Sequence, residues 1–390
     1  MKSLWKENEA KNFKTDLELR VYTSNLLGRS AELVLHGGGN TSVKSLVDDE
    51  EILYVKGSGW DLVSIKAEGF APVKMSTLLE MAKLPSLSDT DMVAGQKEAM
   101  IDKSAPNPSV EAILHALIPY KFVDHTHADA VVTISNSKDG EKLIQELYPN
   151  FLIVPYVMPG FILAREIFEM TQNFDWHSCE GIILHHHGIF TFDDDAKISY
   201  EKMIKAVSKA EEFLSTNAYL GIPSLHVSKE FDIESLKELV SNKKGFEISL
   251  HVNTSSLARF YASQEHLESF ATRGVLTPEH IIRTKRVPLV ITNNIADKLE
   301  QYIEQYKAYF RKFAKEEICL NPAPNYVVIK DFGVICIGKN EKEASIINDI
   351  IEHTMLAVLR ADKLGGYKSI SLKDSFDMEY WELEQAKLKK

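Results

Sequence analysis

Disulfide-forming cysteines and membrane-spanning runs are both missing from the sequence. Its three cysteines, Cys179, Cys319 and Cys336, are odd in number and widely spaced, which favours free thiols in a reducing compartment over a disulfide framework. No apolar run approaches the roughly 20 residues that a membrane-spanning helix needs. The N-terminus, MKSLWKENEAKNFK, is too polar for a secretory signal. We therefore expect a cytoplasmic protein that does not bind membranes.

An excess of positive charge and a nucleotide-binding fingerprint are missing as well. The 45 basic residues stand against 56 acidic ones, which gives a formal net charge of −11. This balance does not support a nucleic-acid partner. The glycine-rich turns GGGNTS and KGSG are too short and wrongly arranged for a Walker loop or a dinucleotide fingerprint. We therefore expect no NAD on this chain.

The length and the pattern of the chain predict two α/β domains. A chain of 390 residues can bury more than one core. Predicted helices and strands alternate without a regular βαβ rhythm, which favours a mixed or antiparallel sheet. The stretch 221–235 is typical of a linker, so we place one domain at 1–225 and another at 236–390. GIILHHHGIFTF and VVIKDFGVICIG, each followed by a long helix, indicate either a degenerate internal copy or a chance similarity.

Histidines cluster in two apolar runs. In KFVDHTHADA, His125 and His127 lie two residues apart on a predicted strand and so share one face. In GIILHHHGIFTF, strand periodicity directs either His185 and His187 together, or His186 alone, towards that pair. Buried imidazoles without partners are costly, and three of them around an open position are typical of catalytic zinc. Asp124 or Asp129 could fix the histidine tautomers from outside.

Other polar residues of the sequence also allow both a functional and a purely structural interpretation. Glu111, in PSVEAILHALIP, begins an apolar helix, where a buried acid can act as a base or can simply complement the helix dipole. His115, one turn on, is either a neighbour of Glu111 or a core histidine. The turn GGGNTS can present backbone N–H groups to an anion, although such turns are more often merely structural. Arg283, Lys285 and Arg286 could contact a substrate phosphate or acid, but the pattern favours a solvated charge run.

Taken in order, GGGNTSVK, YVKGSGWDL, PSVEAILH, HTHAD and HHHGIF resemble the class II aldolase/adducin family, and specifically its zinc-dependent aldolases. The resemblance implies a three-layer α/β/α fold around a largely antiparallel sheet, usually assembled as a homotetramer with active sites between subunits. Over the whole chain, the sequence looks like the aldolase half of bifunctional rhamnulose-phosphate aldolase/alcohol dehydrogenases.

The resemblance also implies roles for individual residues. It makes His125, His127 and His187 the Zn²⁺ ligands, and it makes Glu111 the acid that moves protons beside the metal. It places Tyr156, through a looser match, near the substrate of a neighbouring subunit. The phosphate-holding positions that it implies are Gly39, Asn40, Ser58, Gly59 and Ser109.

The activity that this resemblance implies is retro-aldol cleavage of a ketose 1-phosphate to dihydroxyacetone phosphate and an aldehyde. Related aldolases often carry two serines before the acid, whereas here Val110 takes the second place, which bears on how a phosphate is held. Other divalent metals could replace zinc. The alternatives are a sugar-phosphate epimerase or a keto-acid phosphate decarboxylase at the same site, and a non-catalytic adducin-like assembly module.

Overall fold

The computed structural model of the protein describes residues 1–224 and 230–386. These residues form two compact units. The first comprises 1–135 and 140–214, and the second comprises 136–139 together with the described residues after 214. The predicted linker includes residues 225–229, which lie outside the described part of the chain. No helix in the described ranges is both long and apolar enough to cross a bilayer.

The first unit is built around a seven-stranded sheet. Its strands are β1 (Asn40–Val47), β2 (Glu50–Lys56), β3 (Phe70–Lys74), β4 (Phe122–Thr126), β5 (Phe151–Val154), β6 (Gly181–Leu184) and β7 (Gly188–Asp193). Their order across the sheet is β3-β2-β1-β4-β7-β6-β5. All neighbours are antiparallel except β5 and β6, which run parallel. The predicted largely antiparallel sheet is therefore confirmed.

Nine helices surround this sheet in the described part of the chain. They are α1 (Glu7–Ala10), α2 (Asp16–Gly28), α3 (Met75–Lys83), α4 (Asp89–Glu98), α5 (Ala112–Leu117), α6 (Asp129–Ser135), α7 (Gly140–Leu147), α8 (Phe161–Met170) and α9 (Ala196–Asn217). A capping box begins α2: the Thr15 hydroxyl accepts from the Glu18 N–H, and the Glu18 carboxylate accepts from the Thr15 N–H. This start places α2 against β1 and β4, the two strands that matter most below.

The second unit has a four-stranded sheet and eight described helices. Its strands are β8 (Ser249–Asn253), β9 (Leu289–Ile291), β10 (Tyr326–Ile329) and β11 (Gly333–Gly338). Its helices are α10 (Ile233–Lys244), α11 (Ser256–Ala262), α12 (Leu267–Ala271), α13 (Ile281–Thr284), α14 (Ile295–Phe313), α15 (Glu341–Lys363), α16 (Leu372–Glu379) and α17 (Glu382–Gln385). The strand order is β8-β11-β10-β9.

This second sheet repeats half of the first one. The order β8-β11-β10-β9 reproduces β4-β7-β6-β5, and each pair keeps its direction, including the single parallel pair β9–β10. The hairpin turns agree in detail, because His186 and Asp331 both have a positive φ, of 61° and 62°. A 23-residue helix, α15, follows the second hairpin as the 22-residue α9 follows the first. This agreement favours the degenerate internal copy over chance similarity.

Candidate metal centre

Strand β4 carries the first two histidines. His125 is the fourth residue of β4 and His127 follows its end, so strand alternation places both side chains on one face. Asn40 of β1 lies opposite His125 on one side, and Phe190 of β7 lies opposite it on the other. The Phe190 ring stacks on the His125 imidazole with centroids 4.0 Å apart. The His125 and His127 rings are 4.8 Å apart.

The three adjacent histidines form the turn of the β6–β7 hairpin, not a continuous strand. His186 adopts the left-handed conformation, and the His187 N–H donates back to the end of β6 at 3.0 Å, which closes the turn. The prediction that these side chains alternate between two faces is therefore wrong. The turn directs His187 to the β4 pair, with ring centroids 5.2 Å from His125 and 4.8 Å from His127. The His185 ring instead packs on His186 at 4.2 Å.

These three imidazoles fit a divalent transition metal. One nitrogen each from His125, His127 and His187 lies within 4.8 Å of the others, and the Nε2 atoms of His125 and His127 are 3.0 Å apart. The two ligating nitrogen atoms of a pair of imidazoles on one tetrahedral zinc would be roughly 3.3 Å apart, as follows from Zn–N bonds of about 2.0–2.1 Å. His125 Nδ1 donates to the carbonyl oxygen of Ile189 at 3.1 Å. This bond leaves the lone pair on Nε2, where a metal would need it.

Glu111 lies beside the histidine group. The sequence pattern predicted Glu111 as the start of a helix. In the structure it is the N-cap residue, one position before α5 begins, and it is 5% exposed. Its Oε2 is 3.6 Å from His125 Nε2, and its Oε1 is 3.8 Å from His187 Nε2. The Asn40 amide donates to Oε2 at 2.5 Å, whereas Oε1 has no hydrogen-bond partner in the described part of the chain. Such an oxygen can accept or give a proton.

The glycine-rich loop before β1 approaches the site closely. Gly39 has a φ of 64°, and a Cβ there would lie 2.6 Å from the His125 carbonyl oxygen. Only glycine tolerates both the conformation and the contact. Asn40 follows, and its side-chain amide already donates to Glu111. The contribution of this loop to an anion site would therefore come mainly from its backbone.

The two serine-containing loops lie side by side. The Ser58 N–H donates to the Asn107 carbonyl at 2.8 Å, and the Ser109 N–H donates to the Lys56 carbonyl at 3.1 Å. These amides are therefore used, and an anion would meet the hydroxyls of Ser58 and Ser109. Gly59 has a φ of 92° that turns the chain. The sequence reasoning missed Lys56, a buried lysine directly before this turn, although its place next to KGSG is a readable signal.

Tyr156 follows the end of β5. Its ring lies 6.5 Å from the ring of His186, so the chain brings it to the hairpin turn that carries His187. The role near the substrate of a neighbouring subunit stays a prediction.

A fully buried ion pair joins β4 to the helix α2. Arg20 Nη2 of α2 donates to Asp124 Oδ1 at 2.5 Å, and Ser199 Oγ of α9 donates to Asp124 Oδ2 at 2.5 Å. Burial lowers the pKa of Arg20, and Asp124 opposes this shift. Asp124 was expected to fix a histidine tautomer, and this is wrong for His125, whose Nδ1 is held by a backbone carbonyl. An aspartate in a strand alternates away from the histidines beside it.

The second unit has no imidazole at the corresponding positions. The strand registers place Val252 where β4 has His125, and Thr254 where the chain has His127. Phe332 stands where the first hairpin has His187.

The predicted solvated charge run of the second unit is wrong for its central lysine. Lys285 is 6% exposed, and its Nζ lies 3.8 Å from Glu379 Oε1 and 3.8 Å from the centroid of the Tyr306 ring. Burial lowers the pKa of Lys285, and the Glu379 carboxylate opposes this shift. Arg283 and Arg286 are half-buried.

Two family descriptions match the chain. The class II aldolase and adducin N-terminal domain matches residues 18–214, which is just over half of the chain. The second domain of class II aldolases matches residues 228–388.

Individual relatives agree with these matches. The uncharacterized oxidoreductase YuxG of Bacillus subtilis (strain 168) is 29% identical over 422 residues. That alignment covers 100% of this chain and 60% of the relative, so the chain spans about 60% of that protein's length. The N-terminal class II aldolase domain of a conserved protein from Thermoplasma acidophilum is 40% identical, with a TM-score of 0.50, over 55% of this chain and 99% of that one. L-fuculose-1-phosphate aldolase from Thermus thermophilus is 15% identical, with a TM-score of 0.33, over 51% of this chain and 92% of that one. This last likeness is too distant to carry a functional argument.

Proposed function

Because the chain belongs to the class II aldolase and adducin family, we propose that it is a metal-dependent lyase. The reaction is retro-aldol cleavage of a ketose 1-phosphate of the rhamnulose or fuculose type, which gives dihydroxyacetone phosphate and an aldehyde. One observation carries this proposal: Oε1 of Glu111, which has no hydrogen-bond partner among residues 1–224 and 230–386, lies 3.8 Å from Nε2 of His187, at the edge of a three-imidazole group.

The residues of the chain divide the work between holding and proton transfer. His125, His127 and His187 hold the metal, with zinc as the proposed ion. When bound, a divalent cation supplies Lewis-acid stabilisation of the negative charge that develops on the substrate oxygens. Cleavage breaks the bond between C3 and C4, and the electron pair stays with the fragment that bears the ketone. Glu111 then gives a proton to C3 of that fragment, and Tyr156 is the proposed group for the proton of the C4 hydroxyl.

The loops next to the site are proposed to hold the phosphate. Gly39 and Asn40 would contribute backbone groups, and Ser58, Gly59 and Ser109 would contribute hydroxyls and the turn between them. Remote binding of this kind positions the reacting bond, so its energy is used in the transition state.

The assembly and the domain roles are also proposals. We propose that residues 1–225 carry the catalytic centre and that 236–390 form a separate α/β domain. We further propose a homo-oligomer, in the form of a homotetramer, because Tyr156 would then serve the site of a neighbouring subunit. Light scattering coupled to size-exclusion chromatography measures this directly, and a monomer at assay concentration would contradict it.

The decisive experiment combines metal analysis with product analysis. Wild-type protein supplied with zinc should retain about one metal ion per chain and should release dihydroxyacetone phosphate from a ketose 1-phosphate. His127→Ala should lose the metal, whereas the exposed His177→Ala is the matched control and should keep it. Glu111→Gln should keep the metal but lower kcat by about 10²- to 10⁴-fold, the usual contribution of general acid–base catalysis.

Three other results of these experiments would contradict the proposed function or the proposed role of Glu111. A histidine group that stays empty at neutral pH with zinc supplied would favour the adducin-like assembly module. An epimer or carbon dioxide as product, without carbon–carbon cleavage, would favour the epimerase or the decarboxylase. A fully active Glu111→Gln protein would remove Glu111 from the mechanism.

A further inference from the structure

A buried chain of hydrogen bonds ends on Glu111. Ser42 Oγ lies 2.8 Å from His115 Nδ1, His115 Nε2 contacts Asn40 Oδ1, and Asn40 Nδ2 donates to Glu111 Oε2 at 2.5 Å. Ser42 and His115 have no exposed surface, and Asn40 and Glu111 are 7% and 5% exposed. The strand β1 and the helix α5 thus meet through these four side chains.

The chemistry of the groups sets the direction of every bond. A carboxylate oxygen only accepts, so the Asn40 amide must turn its nitrogen to Glu111 and its oxygen to His115. An amide oxygen also only accepts, so the proton of the His115 ring sits on Nε2. Burial, with the nearby charges of Lys44 and Arg20, holds the pKa of His115 well below its usual value. The neutral ring therefore accepts a hydrogen bond from the Ser42 hydroxyl at Nδ1.

We infer that His115, with Ser42 behind it, is a positioning residue that holds the Glu111 carboxylate through Asn40. This inference rests on the proposed function, because it assigns a purpose to the orientation of the proposed proton carrier. The bond from His115 Nε2 to Asn40 Oδ1 anchors the other end of the amide and holds Nδ2 against Oε2 of Glu111. With Oε2 anchored, Oε1 is the oxygen left to exchange a proton beside the histidine group. The Asn40 side chain is then mainly a link to Glu111, not a phosphate ligand.

The bond that matters can be removed and restored at one position. His115→Leu removes the donor to Asn40 Oδ1, so the amide keeps only its bond to Glu111 and the Glu111 carboxylate is held less firmly. His115→Gln places an amide N–H close to where Nε2–H was and should restore that donor. The matched control is Thr41→Val, on the same strand, which loses one buried hydrogen bond to Ser24 Oγ and leaves Glu111 untouched.

The expected kinetics separate positioning from general damage. His115→Leu should lower kcat for ketose 1-phosphate cleavage by about 10- to 100-fold, the loss typical of a misplaced catalytic group. Its KM and its one-metal stoichiometry should stay close to those of wild type. His115→Gln should recover most of kcat, whereas Thr41→Val should lose stability without losing kcat. A His115→Leu protein with wild-type kcat, or a Gln variant no better than Leu, would overturn the inference.

A second measurement does not depend on catalysis. Long-range ¹H–¹⁵N correlation spectra of the metal-loaded wild-type protein should show His115 as the neutral tautomer protonated at Nε2, at all pH values from about 6 to 9. The His115→Gln protein identifies its signal. A ring protonated at Nδ1, or one that titrates in this range, would refute the network. If this tautomer is found but no substrate is cleaved, the proposed function fails and the network stands.

Discussion

Replacing Asp124 by asparagine should destabilise the first unit strongly. Arg20 and Asp124 both have fully buried side chains, and their atoms are 2.5 Å apart. The substitution keeps the volume of the side chain but removes its charge, so the Arg20 guanidinium is left uncompensated in the interior. Breaking a buried ion pair from one side costs about 3–5 kcal/mol. We therefore expect the free energy of unfolding of this unit to fall by about that amount.

Tryptophan fluorescence can report on the first unit alone. Of the four tryptophans, only Trp381 lies in the second unit, so urea titrations in a Trp381→Phe background follow the first unit. The control is Glu169→Gln, which breaks a surface pair with Arg165 at 2.6 Å whose glutamate is 57% exposed. Such pairs are worth less than about 1 kcal/mol. If Asp124→Asn cost no more than this control, the argument from burial would be refuted.

Three further outcomes follow from the structure. His187→Ala should abolish metal binding, whereas His185→Ala should only weaken it, and the reverse result in metal analysis would overturn the assignment of the third ligand. Gly39→Ala should lower the free energy of unfolding by about 1–3 kcal/mol through backbone strain, because its Cβ would meet the His125 carbonyl oxygen at 2.6 Å. An unchanged midpoint of the urea unfolding curve would contradict this. Burial lowers the pKa of Lys44 to about 7, whereas the usual value is near 10.4. Between these two pH values the unfolded chain binds more protons than the folded chain does, so the free energy of unfolding rises with pH. Lys44→Met should therefore flatten the curve of unfolding free energy between about pH 7.5 and pH 9 by up to about 1.4 kcal/mol per pH unit, and parallel curves for the two proteins would count against it.

The sequence predicted those parts of the site that depend on local periodicity. His125 and His127 could be placed on one face because strand alternation is a property of the backbone alone. The turn at His186 could not be predicted in this way. A histidine there has none of the usual turn chemistry of Gly, Asn or Asp, and its apolar flanks read as one continuous strand. The structure resolves the ambiguity because the parallel strand β5 binds the His185 N–H through the carbonyl of Val154, at 2.9 Å.

The parts that the sequence could not predict depend on contacts between distant residues. Lys285 looked solvated because its neighbours in sequence are charged, but its partners Glu379 and Tyr306 come from other helices. Arg20 gave no signal either, since its partner lies 104 residues away. His115 was readable in part: it follows Glu111 by four residues, which places the two on one side of the turn. The sequence did not show that Asn40, the first residue of strand β1, joins the two side chains.

The second unit separates what the hairpin needs for folding from what the site needs for chemistry. Asp331 keeps the left-handed conformation of His186, and the Phe332 N–H closes its turn at 3.0 Å as the His187 N–H does. The side chains at the three ligand positions, Val252, Thr254 and Phe332, are all incapable of binding as imidazoles do. Because the same strand order and turn geometry form with these residues, a metal is not required to fold this half-sheet. Substitutions at the three ligands in the first unit should therefore remove the metal and leave the fold in place, so that their kinetic effects can be assigned to the site.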